Sequence, residues 1–151
     1  MTTVSLQEIK VAHHKVSEMI AAFEAQVTRE VSIPMCEIRL KDGEYYAGLI
    51  TGPDGNPTHH LVLLPGDAEG VNWEVAKKFA ADLGGDLPTR REQALLFANL
   101  KDQFEERWYW SCEQHAAYSD YAWGQYFDIG YQNYDFKSYE GRARAVRRLA
   151  I

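Results

Sequence analysis

The aromatic residues of this chain are concentrated in one segment, and that uneven distribution constrains the fold more than any other feature. Of the 19 Phe, Trp and Tyr residues, 13 lie between Phe104 and Tyr139. Each ring carries a large apolar area, so it must either fill a core or serve at a surface. One domain of 151 residues can bury many rings without help from a metal or a disulfide. The density in this segment exceeds what a core needs, so we expect part of it to bind a ligand.

Composition and charge exclude several other classes of protein. The apolar share of 46% and the charged share of 25% are ordinary for a globular domain. No stretch approaches the roughly 18 apolar residues of a spanning helix, and the first residues lack the basic and apolar regions of a secretory signal. The net charge of −6 argues against a nucleic-acid partner. We therefore expect a cytoplasmic protein with no membrane insertion.

Cysteine and histidine spacing predicts neither a metal site nor another cofactor. Cys36 and Cys112 form no CxxC motif and no zinc-ligand spacing. We expect two reduced thiols, with one disulfide as the alternative. The pairs His13–His14 and His59–His60 are adjacent, and adjacent side chains diverge on a helix or a strand.

The first 33 residues predict an amphipathic helix that begins at a capping box of Ser5 and Glu8 and runs to about Glu30. Its apolar positions alternate in steps of three and four, which is a heptad seam. The seam consists of Leu6, Ile9, His13, Val16, Ile20, Phe23 and Val27. Two interpretations stay open: the helix packs against its own domain, or it pairs with copies of itself and makes a homo-oligomer.

Residues 34–151 predict one α+β domain. Strands are expected over 37–41, 45–51 and 59–64, followed by capped helices over 73–83 and 90–100. Further strands are expected over 108–112, 121–129 and 141–149, with a loop over 130–138. In the strand over 121–129, alternation predicts one inward and one outward face. The inward face holds Trp123, Gln125, Phe127 and Ile129, and the outward face holds Gly124, Tyr126 and Asp128.

Several short motifs then carry a resemblance to a known family. They are LPTR-x-E at 87–92, WYWS at 108–111, YAW-x-Q-x-F at 121–127, G-x-Q at 130–132, K-x-Y at 137–139 and R-x-R-A-V-R-R at 142–148. In combination they resemble the DUF1566 family, also called the Lcl C-terminal domain, which is frequent in bacteriophage and prophage genomes. The resemblance covers residues 46–151 and leaves the N-terminal helix outside.

The resemblance implies a C-type-lectin-like fold, with two helices flanking a small twisted antiparallel sheet and a long irregular loop region above. It also implies ligand or surface binding, and some relatives on this fold are variable proteins diversified by a reverse transcriptase. The implied frame positions are Trp123, Gln125, Phe127, Gly130, Lys137, Tyr139, Arg142 and Arg144. The chain lacks the paired cysteines and the calcium and sugar motifs of secreted lectins.

A Tyr-rich loop tip is the strongest candidate for a ligand-binding site. It consists of Tyr118, Asp120, Tyr126, Asp128, Tyr131, Asn133, Tyr134 and Phe136. Tyr offers a large rigid area with one hydroxyl and little loss of entropy, and Tyr with Asn, Asp, Ser and Gly is typical of antibody paratopes. The alternative is that half of these rings cover the core.

We therefore expect a non-catalytic module, encoded by a phage or prophage, that binds a host protein through this tip. It would be a receptor-binding or diversified display protein, free in the bacterial cytoplasm or assembled into a phage particle. The alternative is an intracellular inhibitor of a host defence enzyme. A remote alternative is an activity like that of the formylglycine-generating enzymes, in which Cys112 would pair with His115. The basic residues 142–148 are expected to pair with acids such as Glu92, Asp102, Glu105 and Glu140.

Overall fold

A computed structural model describes residues 3–26 and 29–151 as an α+β protein with three helices and two small sheets. The chain divides into two compact units after Val31. Within the described residues, no helix is both long enough and apolar enough to cross a bilayer.

The N-terminal unit contains one helix, α1 (Leu6–Glu24). Ser5 accepts a hydrogen bond from the backbone N–H of Glu8, and the Glu8 carboxylate accepts the N–H of Ser5, so both halves of the capping box form. The helix ends at Glu24, earlier than the expected Glu30. None of its residues is buried, and seam residues from Leu6 to Phe23 are more than half exposed where they are apolar. Val27, the last expected seam position, lies outside the described residues.

A three-stranded antiparallel sheet contains the first two strands and the last strand of the second unit. It consists of β1 (Tyr45–Thr51), β2 (Pro57–Leu63) and β8 (Val146–Ala150), in the order β1-β2-β8. The prediction of a strand over 37–41 is wrong. The turn at Asp42-Gly43 is present, but the preceding residues pair with no strand, because β1 takes its partner β2 through the turn at 52–56 instead.

A five-stranded sheet holds the aromatic segment. Its members are β3 (Ala68–Val71), β4 (Trp108–Gln114), β5 (Tyr121–Tyr126), β6 (Gln132–Phe136) and β7 (Gly141–Ala143), in the order β3-β7-β4-β5-β6. Two expectations fail here. The segment 130–138 is not a loop throughout, because β6 pairs with β5 in register from Tyr121–Phe136 to Gln125–Gln132. The segment 141–149 is not one strand, because it crosses from β7 in this sheet to β8 in the other.

The crossing between the two sheets is held by a buried arginine. Arg144 is 8% exposed, and its guanidinium donates to the carbonyls of Leu64 and Gln103. Burial lowers the pKa of Arg144, although the Asp67 carboxylate opposes this effect. These bonds fix the point at which the chain leaves one sheet for the other.

Two helices cover the sheets, each with a side-chain cap. Asn72 caps α2 (Trp73–Asp82), and Thr89 with Glu92 forms a complete capping box on α3 (Arg90–Leu100). A 3-10 turn over Lys101–Gln103 follows α3. The core has two parts. Trp73, Trp108 and Trp110 lie in the part beside α2, and Leu96, Tyr109 and Phe127 lie in the part beside α3.

The basic residues near the C-terminus are paired, with partly different partners from those expected. Arg148 binds Glu92, as expected, and also Asp86. Arg147 binds Glu44, while Arg142 lies beside Asp67 and Glu69. These carboxylates come from loops, from β3 and from α3, all far away in the sequence, and spacing alone does not identify them.

Candidate ligand-binding surface

The aromatic segment divides into a buried half and an exposed half. Trp108, Tyr109 and Trp110 of β4 are at most 5% exposed. Glycines on the neighbouring strands make room for them. A Cβ on Gly124 would lie 2.3 Å from the Trp108 ring, and one on Gly141 would lie 2.7 Å from the same ring. The rings that remain outside this packing form the candidate site.

Six rings form a connected group on the surface, which we call the aromatic cluster. Its members are His115, Tyr118, Tyr121, Trp123, Tyr134 and Phe136. The His115 ring centroid lies 4.4 Å from that of Tyr134, and Tyr121 lies 4.4 Å from Phe136. Such ring pairs contribute about 0.5–1.5 kcal/mol each beyond area burial. The rings therefore hold one another in place while presenting apolar area to solvent.

The most exposed rings lie at the outer side of the aromatic cluster. Tyr118 is 58% exposed and Phe136 is 52% exposed, whereas His115, Tyr121 and Trp123 are half-buried. A partner would meet Tyr118 and Phe136 first, and the half-buried rings support them from below.

Arg90 lies at the boundary between the cluster and α3. Its guanidinium carbon lies 3.5 Å from the centre of the Trp123 ring, which is a cation–π contact. Its Nε donates to the side-chain carbonyl of Gln132, whose amide donates to the Arg90 carbonyl and to Gln125. Glu113 accepts the backbone N–H of Arg90. Arg90 is thus held on several sides and covers one face of Trp123.

His115 orders the turn between β4 and β5. Its Nδ1 accepts the backbone N–H groups of Ala117 and Tyr118, at 3.1 and 3.2 Å. Its ring also lies between Tyr118 and Trp123, at 5.1 and 5.5 Å between centroids. One side chain thereby fixes the turn and joins the turn to the strand.

Two backbone N–H donors at the sheet edge beside the aromatic cluster already have hydrogen-bond partners. β6 is an edge strand, and an open edge normally invites another strand to pair with it. Here Asn133 accepts the N–H of Tyr134, and Asp135 accepts the N–H of Phe136. Because these donors are used, the surface is better suited to side-chain contacts than to strand addition.

The structure brings three of the eight expected tip residues into the cluster, namely Tyr118, Tyr134 and Phe136. Tyr134 pairs with Trp123 across the β5–β6 hairpin, so both lie on one face. Tyr126 pairs with Trp108 and is three residues from Trp123, so it lies on the opposite face.

The other five expected tip residues lie outside the aromatic cluster. Partial burial, with Tyr139 and Asp135 nearby, raises the pKa of Tyr126. Tyr131 stacks with Tyr126 at 6.5 Å, at the far end of the hairpin. Asp128, Asp120 and Asn133 are exposed outside the ring contacts. The eight residues therefore do not form one surface.

The expected faces of β5 also need correction. Ile129, expected to point inward, is 76% exposed, because the strand ends at Tyr126 and a turn follows. Gly124, expected to point outward, is buried under Trp108. Gln125 is buried beneath α3, where its amide donates to the carbonyl of Gln93. Both faces are covered along part of β5, which an alternating pattern does not reveal.

Four residues of the site were absent from the expected set: Arg90, His115, Tyr121 and Trp123. Trp123 was assigned to the frame, His115 only to the remote catalytic alternative with Cys112, and Arg90 and Tyr121 to no role. The alternation of Gln132, Tyr134 and Phe136 is the signal that could have found them. Had it been read as a strand, its pairing with β5 would have placed Tyr121 and Trp123 beside Phe136 and Tyr134.

Neither catalysis by Cys112 nor metal binding gains support from the geometry. Burial, reinforced by nearby Asp86, raises the pKa of Cys112 to about 11, which disfavours the thiolate that a nucleophile needs. His115 uses Nδ1 for the turn. Over residues 3–26 and 29–151, no three His, Cys, Asp or Glu side chains are grouped in a way that could hold a metal ion.

The sequence was compared with family models and with curated proteins. No family model matches the chain, and no curated protein matches it. The similarity to DUF1566 therefore stays a prediction that depends on the motifs themselves.

Proposed function

We propose that this chain is a non-catalytic binding module that takes a protein ligand through the aromatic cluster. The observation that carries the proposal is a connected group of six rings left at the surface of a well-packed domain. Exposed apolar patches of this kind mark interaction sites on soluble proteins.

A protein suits this surface better than other ligands do. Protein interfaces are enriched in Tyr, Trp, Phe and Arg and depleted in acidic and lysine side chains at their centres. The aromatic cluster and Arg90 have that composition. The capped donors along β6 leave recognition to side chains. The rings are already ordered before binding, so little entropy is lost when a partner arrives.

A C-type-lectin-like fold and a phage or prophage origin are part of the same proposal, and they depend on the motif resemblance. Two small sheets, antiparallel except for the parallel pair β4–β7, with helices α2 and α3 between their strands support the fold assignment. One feature departs from it. The region expected as a long irregular loop contains the regular hairpin of β5 and β6.

Homo-oligomerisation through α1 completes the proposal. Apolar seam residues are exposed along this helix, including Ile9 and Ile20 at 54% and 53%. A heptad seam without cover is typical of a helix that pairs with copies of itself. Several weak sites on one assembly then bind a surface more tightly through avidity. Sedimentation of Ile9→Asp with Ile20→Asp is expected to give a monomer, and an unchanged mass would contradict this part.

Site-directed photo-crosslinking tests the ligand surface. A benzoylphenylalanine residue is placed at Tyr118, inside the aromatic cluster, or at Tyr131, at the far end of the hairpin. Both tyrosines are similarly exposed, at 58% and 56%, so the two positions are matched. We expect position 118 alone to crosslink a discrete host protein, and excess unlabelled chain to compete for it.

A second pair of variants connects the crosslink to the rings. Phe136→Ala is expected to abolish the crosslink from position 118, whereas Ile129→Ala is expected to leave it unchanged. An envelope protein as the captured partner indicates a receptor-binding module, and a soluble defence enzyme indicates an inhibitor. Equal crosslinking from positions 118 and 131, or no loss with Phe136→Ala, would contradict the proposed surface.

A further inference from the structure

A cavity of the second unit lies away from the aromatic cluster, beside β1 and β2. Its volume is about 570 Å³, within the range of sites for small molecules. Glu37 is one of its lining residues, and Pro34, Met35, Ile38 and Leu40 supply four apolar side chains. These apolar side chains predict an apolar ligand, because they offer it few hydrogen bonds.

Three polar groups meet at one side of this cavity. Sγ of Cys36 lies 3.3 Å from Nε2 of His60, and Nδ1 of the same ring lies 2.8 Å from the hydroxyl of Tyr46. His60 is 7% exposed, whereas Cys36 is open to solvent. A thiol, a buried imidazole and a third group that orients the imidazole are the parts of an activated nucleophile.

The backbone that carries Cys36 is attached to the domain, although it forms no strand. Arg147 of β8 donates to both carboxylate oxygens of Glu44 and also to the carbonyl of Arg39. The arginine therefore holds the segment on both sides of its turn. Cys36 lies three residues before Arg39, so the thiol is close in sequence to a point at which the segment is attached to β8.

We propose that Cys36, His60 and Tyr46 form a site that accepts an apolar acyl group from a thioester onto the Cys36 sulfur. Nδ1–H of His60 donates to the Tyr46 oxygen, which leaves Nε2 free to accept the thiol proton. The Cys36 sulfur attacks the thioester carbonyl carbon, and a new carbon–sulfur bond forms. The carbon–sulfur bond to the leaving thiol breaks, and the departing thiolate takes the proton from His60. No oxidation or reduction occurs, and the acyl chain occupies the apolar cavity.

The second cysteine of the chain is a natural contrast. Cys112 packs against the core beside α2 and is half-buried. Burial raises its pKa to about 11. Cys112 is therefore expected to stay unmodified under conditions in which Cys36 reacts.

Acylation of the full chain by two thioesters tests the site. The probes are the octanoyl and acetyl thioesters of N-acetylcysteamine, and the adducts are followed by intact-mass spectrometry with the modified cysteine located after digestion. We expect octanoyl transfer to Cys36 and not to Cys112. We expect transfer to be at least about tenfold slower in His60→Gln, because general-base assistance is lost. Acetyl transfer is expected to be slower than octanoyl transfer.

Two further measurements keep the test decisive if His60→Gln does not fold. Tyr46→Phe removes only the hydroxyl that orients His60, from a ring that is 42% exposed, and it is expected to slow octanoyl transfer in a folded chain. Wild-type chain unfolded in urea supplies the rate of an unassisted thiol. Equal octanoyl rates in folded and unfolded chain, or in wild type and Tyr46→Phe, would overturn the activated thiol. Equal octanoyl and acetyl rates would overturn the apolar acyl specificity.

Discussion

The two halves of the aromatic segment have nearly the same composition and opposite environments. Trp110 of β4 is completely buried, whereas Trp123 of β5 is half-buried and faces the surface cluster. Trp110 lies in the part of the core beside α2, whereas Trp123 lies beside the start of helix α3. Helix α3 covers β5 at Gln125, where Gln93 and Gln125 bond to neighbouring backbone, and it begins at Arg90, which lies over Trp123. Where the helix begins, the cover ends and the rings become available for binding.

The two aromatic groups also differ in the contacts that hold their rings in place. The buried rings bond to backbone, as Trp110 Nε1 does to the carbonyl of Val71. The cluster rings mostly contact one another and His115. Removing a buried ring leaves a cavity and an unpaired carbonyl, while removing a cluster ring leaves open surface. Stability and binding should therefore be separable by mutation.

Trp110→Ala should have the largest effect on stability. Its indole is fully buried and donates to the Val71 carbonyl. We expect a loss of about 3–5 kcal/mol in the free energy of unfolding, because a large cavity forms. Urea denaturation followed by circular dichroism measures this loss. A loss below that of Trp123→Ala would reverse the assignment of the two halves.

Gly124→Ala should cost about 2–3 kcal/mol, although it adds only one methyl group. The new Cβ would lie 2.3 Å from the Trp108 ring and 2.6 Å from the Tyr109 carbonyl oxygen, and neither can move freely. The same urea experiment measures the effect. Gly70→Ala is a comparison at an open position, where strain from the positive φ is the only cost. Equal losses in the two variants would argue that Trp108 does not fill the space beside Gly124.

Glu92→Gln should weaken the attachment of α3 by about 1.5–3 kcal/mol at neutral pH, as for the loss of hydrogen bonds to a charged group. Burial opposes ionisation of Glu92, but hydrogen bonds from Arg148 and Thr89 outweigh it and lower its pKa from 4.5. A lowered folded-state pKa means that the stabilisation is present above about pH 4.5 and is lost as the pH falls through the folded value. We expect the unfolding free energy to fall less steeply with acid in Glu92→Gln than in wild type. Parallel pH profiles would contradict this role.

Trp123→Ala should cost only about 1 kcal/mol, from the loss of ring contacts and of the contact with Arg90. The inward position that alternation predicts for Trp123 would instead give a loss of about 3–5 kcal/mol, the cost of removing a buried large aromatic ring. A thermal melt decides between these values. Loss of ligand crosslinking in a chain that still folds would place Trp123 in the binding surface.

Tyr118→Ala with Phe136→Ala should have the smallest effect on stability, within about 0.5 kcal/mol. Both rings are more than half exposed. The matched control is Tyr126→Ala with Tyr131→Ala, which also removes two exposed rings from the same hairpin. We expect ligand capture to be lost in the first variant and kept in the control. The reverse result would move the site to the opposite face of β5.

Local sequence signals predicted the helices and several strands well. The caps at Ser5, Asn72 and Thr89 all form, because a cap depends on residues within one turn of the helix start. The heptad spacing of α1 is likewise a local property. The strand over 37–41 and the loop over 130–138 were predicted wrongly, because whether a segment is a strand depends on a partner strand elsewhere.

The candidate site was only partly predictable for the same reason. Composition located the aromatic segment and identified Tyr118, Tyr134 and Phe136 among the exposed rings. It did not separate Tyr126 from Tyr134, because that separation requires the register of β5 against β4 and β6. Nor did it bring Cys36 to His60, which are 24 residues apart and meet across unrelated elements.

The sequence by itself determined the α+β composition, the capped helix starts, the heptad spacing of α1 and the excess of aromatic side chains. Each depends on residue types and spacings within a few turns of chain. The tertiary structure decided which rings are buried, which faces of β5 are covered, and which carboxylate each arginine binds. Those outcomes depend on strand register and on where α3 begins, and contacts between distant segments are fixed only when the whole unit packs.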